Sequence, residues 1–166
     1  MILTEGDAVE LQQLIGPTDS VILLSLQEPY FNKILSGEKH YEYRKRFKKH
    51  STKALIYISK TQKQVVGMIQ FGQPVIDRVD EIAAIAERDQ PGHYDAIKSY
   101  LGEAKQGYAI PVEAVYLFEP VTLAELKRQD PSFSVPQSYR GIQPSDPIWE
   151  LVRHLEVKQR VISDDC

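Results

Sequence analysis

The chain has 166 residues, 42% of them apolar, which fits one globular domain with a buried core. Its formal net charge of −3 is unevenly distributed. Residues 39–53 hold seven Lys or Arg against the single acid Glu42, a net +6, so the rest of the chain sums to −9. This distribution argues against a general coat of positive charge and favours a polyanion binder with one defined site. A solvated loop at the end of a strand would also carry such a run.

The chain contains one cysteine, Cys166, so no disulfide framework or thiolate metal site can form within it. The first ten residues carry acids where a signal peptide carries positive charge, and no apolar run approaches membrane-spanning length. We therefore expect a soluble, cytoplasmic protein with no membrane partner.

The first elements in chain order are a helix, a strand and a second helix. Apolar residues recur with helical spacing from Ala8 to Ile15, and Gly16-Pro17 ends the pattern, so residues 1–19 are predicted to form an N-terminal helix or tail. Residues 21–26 form a continuous apolar run, typical of a strand buried on both faces. Pro29 then begins a short helix that stops at Gly37.

From Lys39 onward the spacing changes to two. His40, Glu42 and Arg44 are predicted on one strand face and the neighbouring tyrosines on the other, with Lys39 at the turn before them. Residues 53–58 and 64–71 follow as a hairpin, and Gly67 within it indicates a bulge or a close backbone approach.

The second half predicts helices over residues 79–86 and 94–101, and then an alternating strand over 108–118 that could bend at Pro111. Thr122 and Glu125 form a capping box, and Asp146 is predicted as the N-cap of a last helix reaching Leu155. Residues 158–166 are predicted to be flexible. The pattern indicates an α+β fold over residues 20–157, with a small, mainly antiparallel β-barrel or curled sheet, flanking helices and a C-terminal helix.

Residues 37–44 satisfy the pattern G-x-K-x-x-E-x-R, and this stretch resembles the ASCH domain family of the PUA-like superfamily. The likeness extends to Leu24-Ser25-Leu26, to the hairpin around Gly67, and to Pro136-Gln137-Ser138-Tyr139-Arg140, which is similar to a bacterial subgroup. The resemblance implies a PUA-like barrel with a cleft at the motif and a role in binding RNA or other nucleic acid. Many members of the subgroup carry the label of predicted transcriptional regulator.

Three motif residues are the leading site candidates. Lys39 could reach a phosphate or an exocyclic oxygen, or could be a solvated turn lysine. Glu42 could contact a ligand, or could only pair with Arg44 and order the cleft. Arg44 could be the ion-pair partner of Glu42, or it could bind a phosphate through two parallel N–H groups.

The remaining candidates divide by chemistry. Gln137 and Ser138 could read base edges and Tyr139 could stack on a base, although such a loop also satisfies its own backbone. Phosphate contacts and neighbours of the motif complete the set: Arg46, Lys48, Lys49, Arg140, Tyr30, Ser59 and Lys60. Residues His93, Tyr94, Tyr100 and Trp149 have ordinary structural interpretations. No ligand set has metal-site spacing, so neither a metal nor a cofactor is expected.

The leading hypothesis is a nucleic-acid-binding module whose cleft admits a single base, unmodified or modified, from RNA or a single strand. The alternative is a small hydrolase acting on RNA or a modified nucleoside, with Lys39 and Glu42 as catalytic residues. Some members of the family hydrolyse acetylcytidine with a lysine and a threonine three residues later, but here Glu42 stands at that position. A protein-interaction domain using the N-terminal helix is the third possibility, and the oligomeric state stays open.

Overall fold

In a computed structural model of the chain, which describes residues 2–4 and 8–163, nine strands form one curled sheet. The strands are β1 Ile2–Thr4, β2 Val21–Gln27, β3 Tyr41–Arg44, β4 Thr52–Ser59, β5 Gln64–Phe71, β6 Val75–Asp77, β7 Gly107–Thr122, β8 Tyr139–Gly141 and β9 Val157–Ile162. The helices are α1 Glu28–Ser36, α2 Val79–Asp89, α3 Tyr94–Leu101, α4 Leu123–Gln129 and α5 Pro147–Val152. The predicted α+β class with a curled, mainly antiparallel sheet is confirmed.

The long strand β7 joins the two parts of this sheet. Its first half pairs with β3 and β6, and its second half pairs with β5 on one edge and β9 on the other. Pro111 lies where the partners change, so its missing N–H interrupts no ladder, and the following Val112 N–H donates to His40 O at 2.9 Å. The alternating segment is therefore one strand, and it brings β3 against the main sheet.

Strand β2 lies between β4, which it meets in parallel, and the short edge strand β8, which it meets antiparallel. Leu24 packs in one core cluster and Leu23 in another, because the sheet is covered on both faces. This confirms the prediction that residues 21–26 form a strand buried on both sides. The chain leaves β2 directly into α1, so the helix that precedes the motif is fixed at the end of a central strand.

The hairpin β4–β5 has the irregularity that Gly67 predicts. The strand register shifts between Val65 and Gly67, and a Cβ at Gly67 would lie 2.4 Å from the Tyr116 carbonyl oxygen. A side chain cannot fit there, so glycine is required by the close approach of β7. The capping box of Thr122 and Glu125 is also present at the start of α4.

The two ends of the chain differ from the predictions. In place of the N-terminal helix there is one 3₁₀ turn, Leu11–Leu14, and a short strand β1 pairs with β9. Strand β9 extends through residues predicted to be flexible, because its backbone pairs with β7 although Lys158, Gln159 and Arg160 give it a polar sequence. Helix α5 ends at Val152, before Leu155. Residue Cys166 lies outside the described residues.

Among the described residues, no helix is long and apolar enough to cross a membrane.

Candidate functional site

A cleft of about 640 Å³ opens where the G-x-K-x-x-E-x-R motif meets α3 and the end of β2. Six of its lining residues come from the predicted site: Tyr30, Lys39, Glu42, Arg44, Ser59 and Gln137. The others are Ser25, Leu26, Gln27, Tyr43, His93, Ala96, Ile97 and Tyr100. The fold thus brings together side chains that are more than 100 residues apart in sequence.

The end of α1 places Lys39 in this cleft. Gly37 adopts a left-handed conformation at φ 83°, which glycine accommodates without strain, and its N–H donates to Ile34 O at 3.2 Å. The Lys39 N–H then donates to Lys33 O at 3.0 Å, so the backbone of the motif is tied to the helix end. The Lys39 residue is only 7% exposed, which excludes the solvated turn lysine.

Glu42 lies between two cations at the base of the cleft. Its Oε2 is 3.3 Å from Lys39 Nζ and its Oε1 is 3.3 Å from Arg44 Nε. Glu42 itself is 6% exposed, so all three charges are held in a region of reduced screening. The ion pair between Glu42 and Arg44 that strand parity predicts is present, and Lys39 joins it from the turn.

Arg44 connects three parts of the fold. Beside Glu42, its Nη2 donates to the Ser25 carbonyl at 3.3 Å on β2, and its Nη1 donates to Ser138 Oγ at 3.5 Å. These are two of the five guanidinium N–H groups, and the buried Nε–H makes no hydrogen bond although it lies close to Glu42 Oε1. Arg44 therefore links β3 to β2 and to the loop before β8. Its geometry is that of a structural clamp more than of a free phosphate fork.

Tyrosine rings surround the Lys39 ammonium. Lys39 Nζ lies 4.9 Å from the ring centroid of Tyr30 and 5.7 Å from that of Tyr43. Tyr30 is 49% exposed and offers its ring to the cleft. Burial raises the pKa of the Tyr43 hydroxyl, and the nearby Asp89 charge raises it further, so this hydroxyl stays protonated at neutral pH.

Helix α3 forms the opposite wall, which the sequence did not assign to the site. The cleft residues are its N-cap His93 and the helical Ala96, Ile97 and Tyr100, which follow His93 at i+3, i+4 and i+7 along one face. Tyr100 is 46% exposed and lies under Lys45 Nζ, 5.5 Å from the ring centroid. Tyr100 is therefore an exposed residue of the cleft wall and not a core residue. The periodicity was visible in the sequence, but the surface that this face meets was not.

A carboxylate fixes the start of that wall. Glu87 Oε2 accepts from the backbone N–H groups of Gly92, His93 and Tyr94 at 2.8, 2.9 and 3.1 Å. These hydrogen bonds, led by that of Tyr94, lower the pKa of Glu87. Glu87 therefore caps α3 with a charge and sets the position of the cleft wall.

Several other predicted residues lie away from the cleft. Tyr139 packs its ring edge against Phe47 at 5.2 Å between centroids, and Arg140 pairs with Asp146 at 2.7 Å. Lys48 lines a different recess. Three further predicted residues have exposed side chains that do not line the cleft: Arg46, Lys49 and Lys60. Ser138 reaches the site only through Arg44. The exposed rings that line the cleft are thus those of Tyr30 and Tyr100, and the Tyr139 ring packs toward the core.

No group of three or more His, Cys, Asp or Glu side chains among residues 2–4 and 8–163 is arranged to hold a metal ion.

The ASCH domain model matches residues 24–140, well over half of the chain. The chain belongs to the ASCH family. The solved structure of ASCH from Zymomonas mobilis is 22% identical, with a TM-score of 0.69 over 81% of this chain and 95% of that one. A serine-to-alanine variant of the same protein is 21% identical, with a TM-score of 0.69 over 82% of this chain and 97% of that one. The N-terminal domain of Staphylothermus marinus McrB is 11% identical, with a TM-score of 0.53 over 80% of this chain and 92% of that one.

At these identities the solved structures establish the ASCH fold and nothing about ligand. Comparison with curated proteins gives no significant match.

Proposed function

We propose that this ASCH protein binds single-stranded nucleic acid, in the first instance RNA, by admitting one unpaired base into the cleft. Two features together carry the proposal. The buried ion pair of Lys39 and Glu42 lies at the bottom of the cleft, and the exposed rings of Tyr30 and Tyr100 lie on its walls. Polar groups at the bottom and aromatic faces at the side match the two kinds of surface that a base presents.

The hydrogen-bonding groups suit the edge of a base. Lys39 offers donors only, Glu42 offers acceptors only, and Gln137 offers both, so a base edge with mixed donors and acceptors finds partners. The volume of about 640 Å³ lies in the range of small-molecule sites, which supports entry of one base, including one with a substituent. A base within a duplex could not reach these groups, so the ligand must be single-stranded or locally opened.

A regulatory role of the kind named for the bacterial subgroup would need only this binding step. Sequestering a strand requires no catalyst and no cofactor.

The test is a fluorescence anisotropy titration of labelled RNA and single-stranded DNA of the same sequence over a salt series. Phosphate contacts predict an affinity that falls steeply with salt. Lys39→Ala should weaken binding about 10- to 150-fold, because a charge-assisted hydrogen bond of roughly 1.5–3 kcal/mol is lost. Lys158→Ala is the matched control, because Lys158 is an exposed lysine on β9 and lines neither the cleft nor the recess beside Lys48. No binding at low salt would refute the proposal.

One observation favours hydrolysis as a second candidate. Lys39 Nζ and Glu42 Oε2, 3.3 Å apart, form a donor–acceptor pair beside the hydroxyl-bearing Ser59 and Tyr30. Such a pair could move a proton to or from a bound water if a substrate reached it. Incubating the protein with acetylcytidine and with RNA oligomers tests this. Turnover that persists in Lys39→Ala would exclude Lys39 as the catalyst.

A further inference from the structure

A second recess of about 590 Å³ lies outside the cleft, near the 3₁₀ turn, β8 and α5. Lys48, Trp149 and Arg153 are among its lining residues. Lys48 has no ion-pair partner among the residues that the structure describes, and Trp149 is only partly buried. The acid at its rim, Asp19, is already paired with Lys53 at 2.5 Å. Arg153 is paired with Glu150 at 3.1 Å and its Nε donates to Gln12 Oε1, so Lys48 is the lining cation without such a partner among the described residues. A cation and an exposed aromatic ring are the usual elements of a single-strand binding surface.

Three neighbouring segments connect this recess with the cleft. Each contributes a residue to the cleft and another, four positions away in sequence, to the recess. Strand β2 contributes Ser25 to the cleft and Val21 to the recess. The antiparallel segment beside it contributes Gln137 to the cleft and Gly141 to the recess.

The third segment is the basic run, which contributes Arg44 to the cleft and Lys48 to the recess. Phe47, between them, is buried and packs against the Tyr139 ring of β8 and against Phe71. This anchor holds the basic run along the sheet edge. Arg46, between Arg44 and Lys48 in sequence, is exposed and adds a further cation to this run.

We propose that a single strand with one base in the cleft continues across β8 and places a following nucleotide in the recess, against Trp149 and with phosphates near Arg46 and Lys48. This inference rests on the proposed function, since it extends the ligand of the same cleft. Four strand residues separate the two sites on β2, a distance of about 13 Å at roughly 3.3 Å per residue. That distance corresponds to about four stacked nucleotides at roughly 3.4 Å each. The complete site should therefore need an oligonucleotide of about five nucleotides.

Trp149 is the only tryptophan of the chain, so its fluorescence reports on the recess alone. The experiment titrates the full chain with 5′-fluorescein RNA of two, four, six and eight nucleotides, and with unlabelled copies. Anisotropy measures total binding and indole emission measures occupation of the recess. Six- and eight-nucleotide RNA should quench Trp149, while the two-nucleotide RNA should leave its emission unchanged.

Variants separate the two sites. Lys48→Ala should weaken binding of the six-nucleotide RNA several-fold and reduce its salt slope by about one unit, with no effect on the two-nucleotide RNA. Lys158→Ala should change neither the affinity for the six-nucleotide RNA nor its salt slope. Trp149→Leu should lose about fivefold or more in affinity for the longer RNA, from the loss of a stacked base. If that variant does not fold, quenching of Trp149 in the unmodified protein shows whether the RNA occupies the recess.

The outcomes distinguish the two proposals. Binding that depends on Lys39 but leaves Trp149 emission unchanged at every length, with Lys48→Ala equal to the control, overturns the extended path and leaves the cleft proposal standing. Absence of binding at all lengths overturns both. Length-dependent quenching with a specific Lys48→Ala loss supports the path.

Discussion

Replacing Glu42 by glutamine tests whether the charge triad holds the cleft together. The substitution keeps the shape of the side chain and removes the anion between Lys39 and Arg44. Lys39 is 7% exposed and the Arg44 side chain is 15% exposed, so both cations would remain largely buried and repel each other. Removing one partner of a buried pair costs about 3–5 kcal/mol, and because the cations can move toward the open cleft we expect about 3 kcal/mol.

The expected change in melting temperature follows from that free energy. For a chain of this length 1 kcal/mol corresponds to about 2–4 °C, so Glu42→Gln should lower the melting temperature by about 6–12 °C. The assay is thermal and urea unfolding followed by circular dichroism. Glu119→Gln, at an exposed position of β7, is the matched control and should stay within about 0.5 kcal/mol of the unmodified protein.

A double-mutant cycle checks the reason for the loss. Adding Lys39→Met to Glu42→Gln removes one of the two unneutralised cations, so the double variant should be more stable than the sum of the single effects by about 1 kcal/mol or more. A melting temperature for Glu42→Gln equal to that of the control would refute the reasoning. Additive single effects would show that the charges do not interact.

Two further predictions concern the elements around the cleft. Gly67→Ala should destabilise the protein by about 1–3 kcal/mol in urea unfolding, because the new Cβ would lie 2.4 Å from Tyr116 O, whereas Gly141→Ala, which meets nothing within 4 Å, should be nearly neutral. Glu87→Gln should lower the melting temperature at neutral pH. The folded state lowers the pKa of Glu87, so its stabilisation is complete above the ordinary value of 4.5 and is lost as pH falls through the lowered value. The difference in melting temperature between the two proteins should therefore shrink in acid, and a constant difference would contradict the capping role.

The elements that the sequence predicts well are those with local signals. Gly37 ends α1 because its backbone must turn left-handed, and Thr122 begins α4 because its hydroxyl accepts the Glu125 N–H at 3.2 Å. Gly67 marks the close approach of β7 in the same way. Lys39 and Glu42 could be singled out because the family pattern contains both, but strand spacing left Lys39 at the turn, and the ion pair between them emerges only in the structure.

The elements that cannot be predicted from the sequence depend on contacts between distant segments. Strand β9 has little apolar pattern, and only its pairing with β7 and β1 defines it. Tyr139 has an ordinary loop sequence around it, and only the position of Phe47 decides that its ring turns to the core. Tyr100 lies on a helix face whose period is clear, but the cleft that it lines exists only after α3 packs beside β3.

The central claim is that a base, and not only the phosphate backbone, occupies the cleft. The most direct measurement compares the affinity of the protein for a single strand with bases and for an abasic strand of the same length, at equal salt, with Lys39→Ala alongside. Each stacked base contributes about 1–3 kcal/mol, so the abasic strand should bind about 5- to 150-fold more weakly with a similar salt slope, and Lys39→Ala should narrow that difference. Equal affinity for the two strands would contradict the account, because the Lys39–Glu42 cleft would then make no contact with a base.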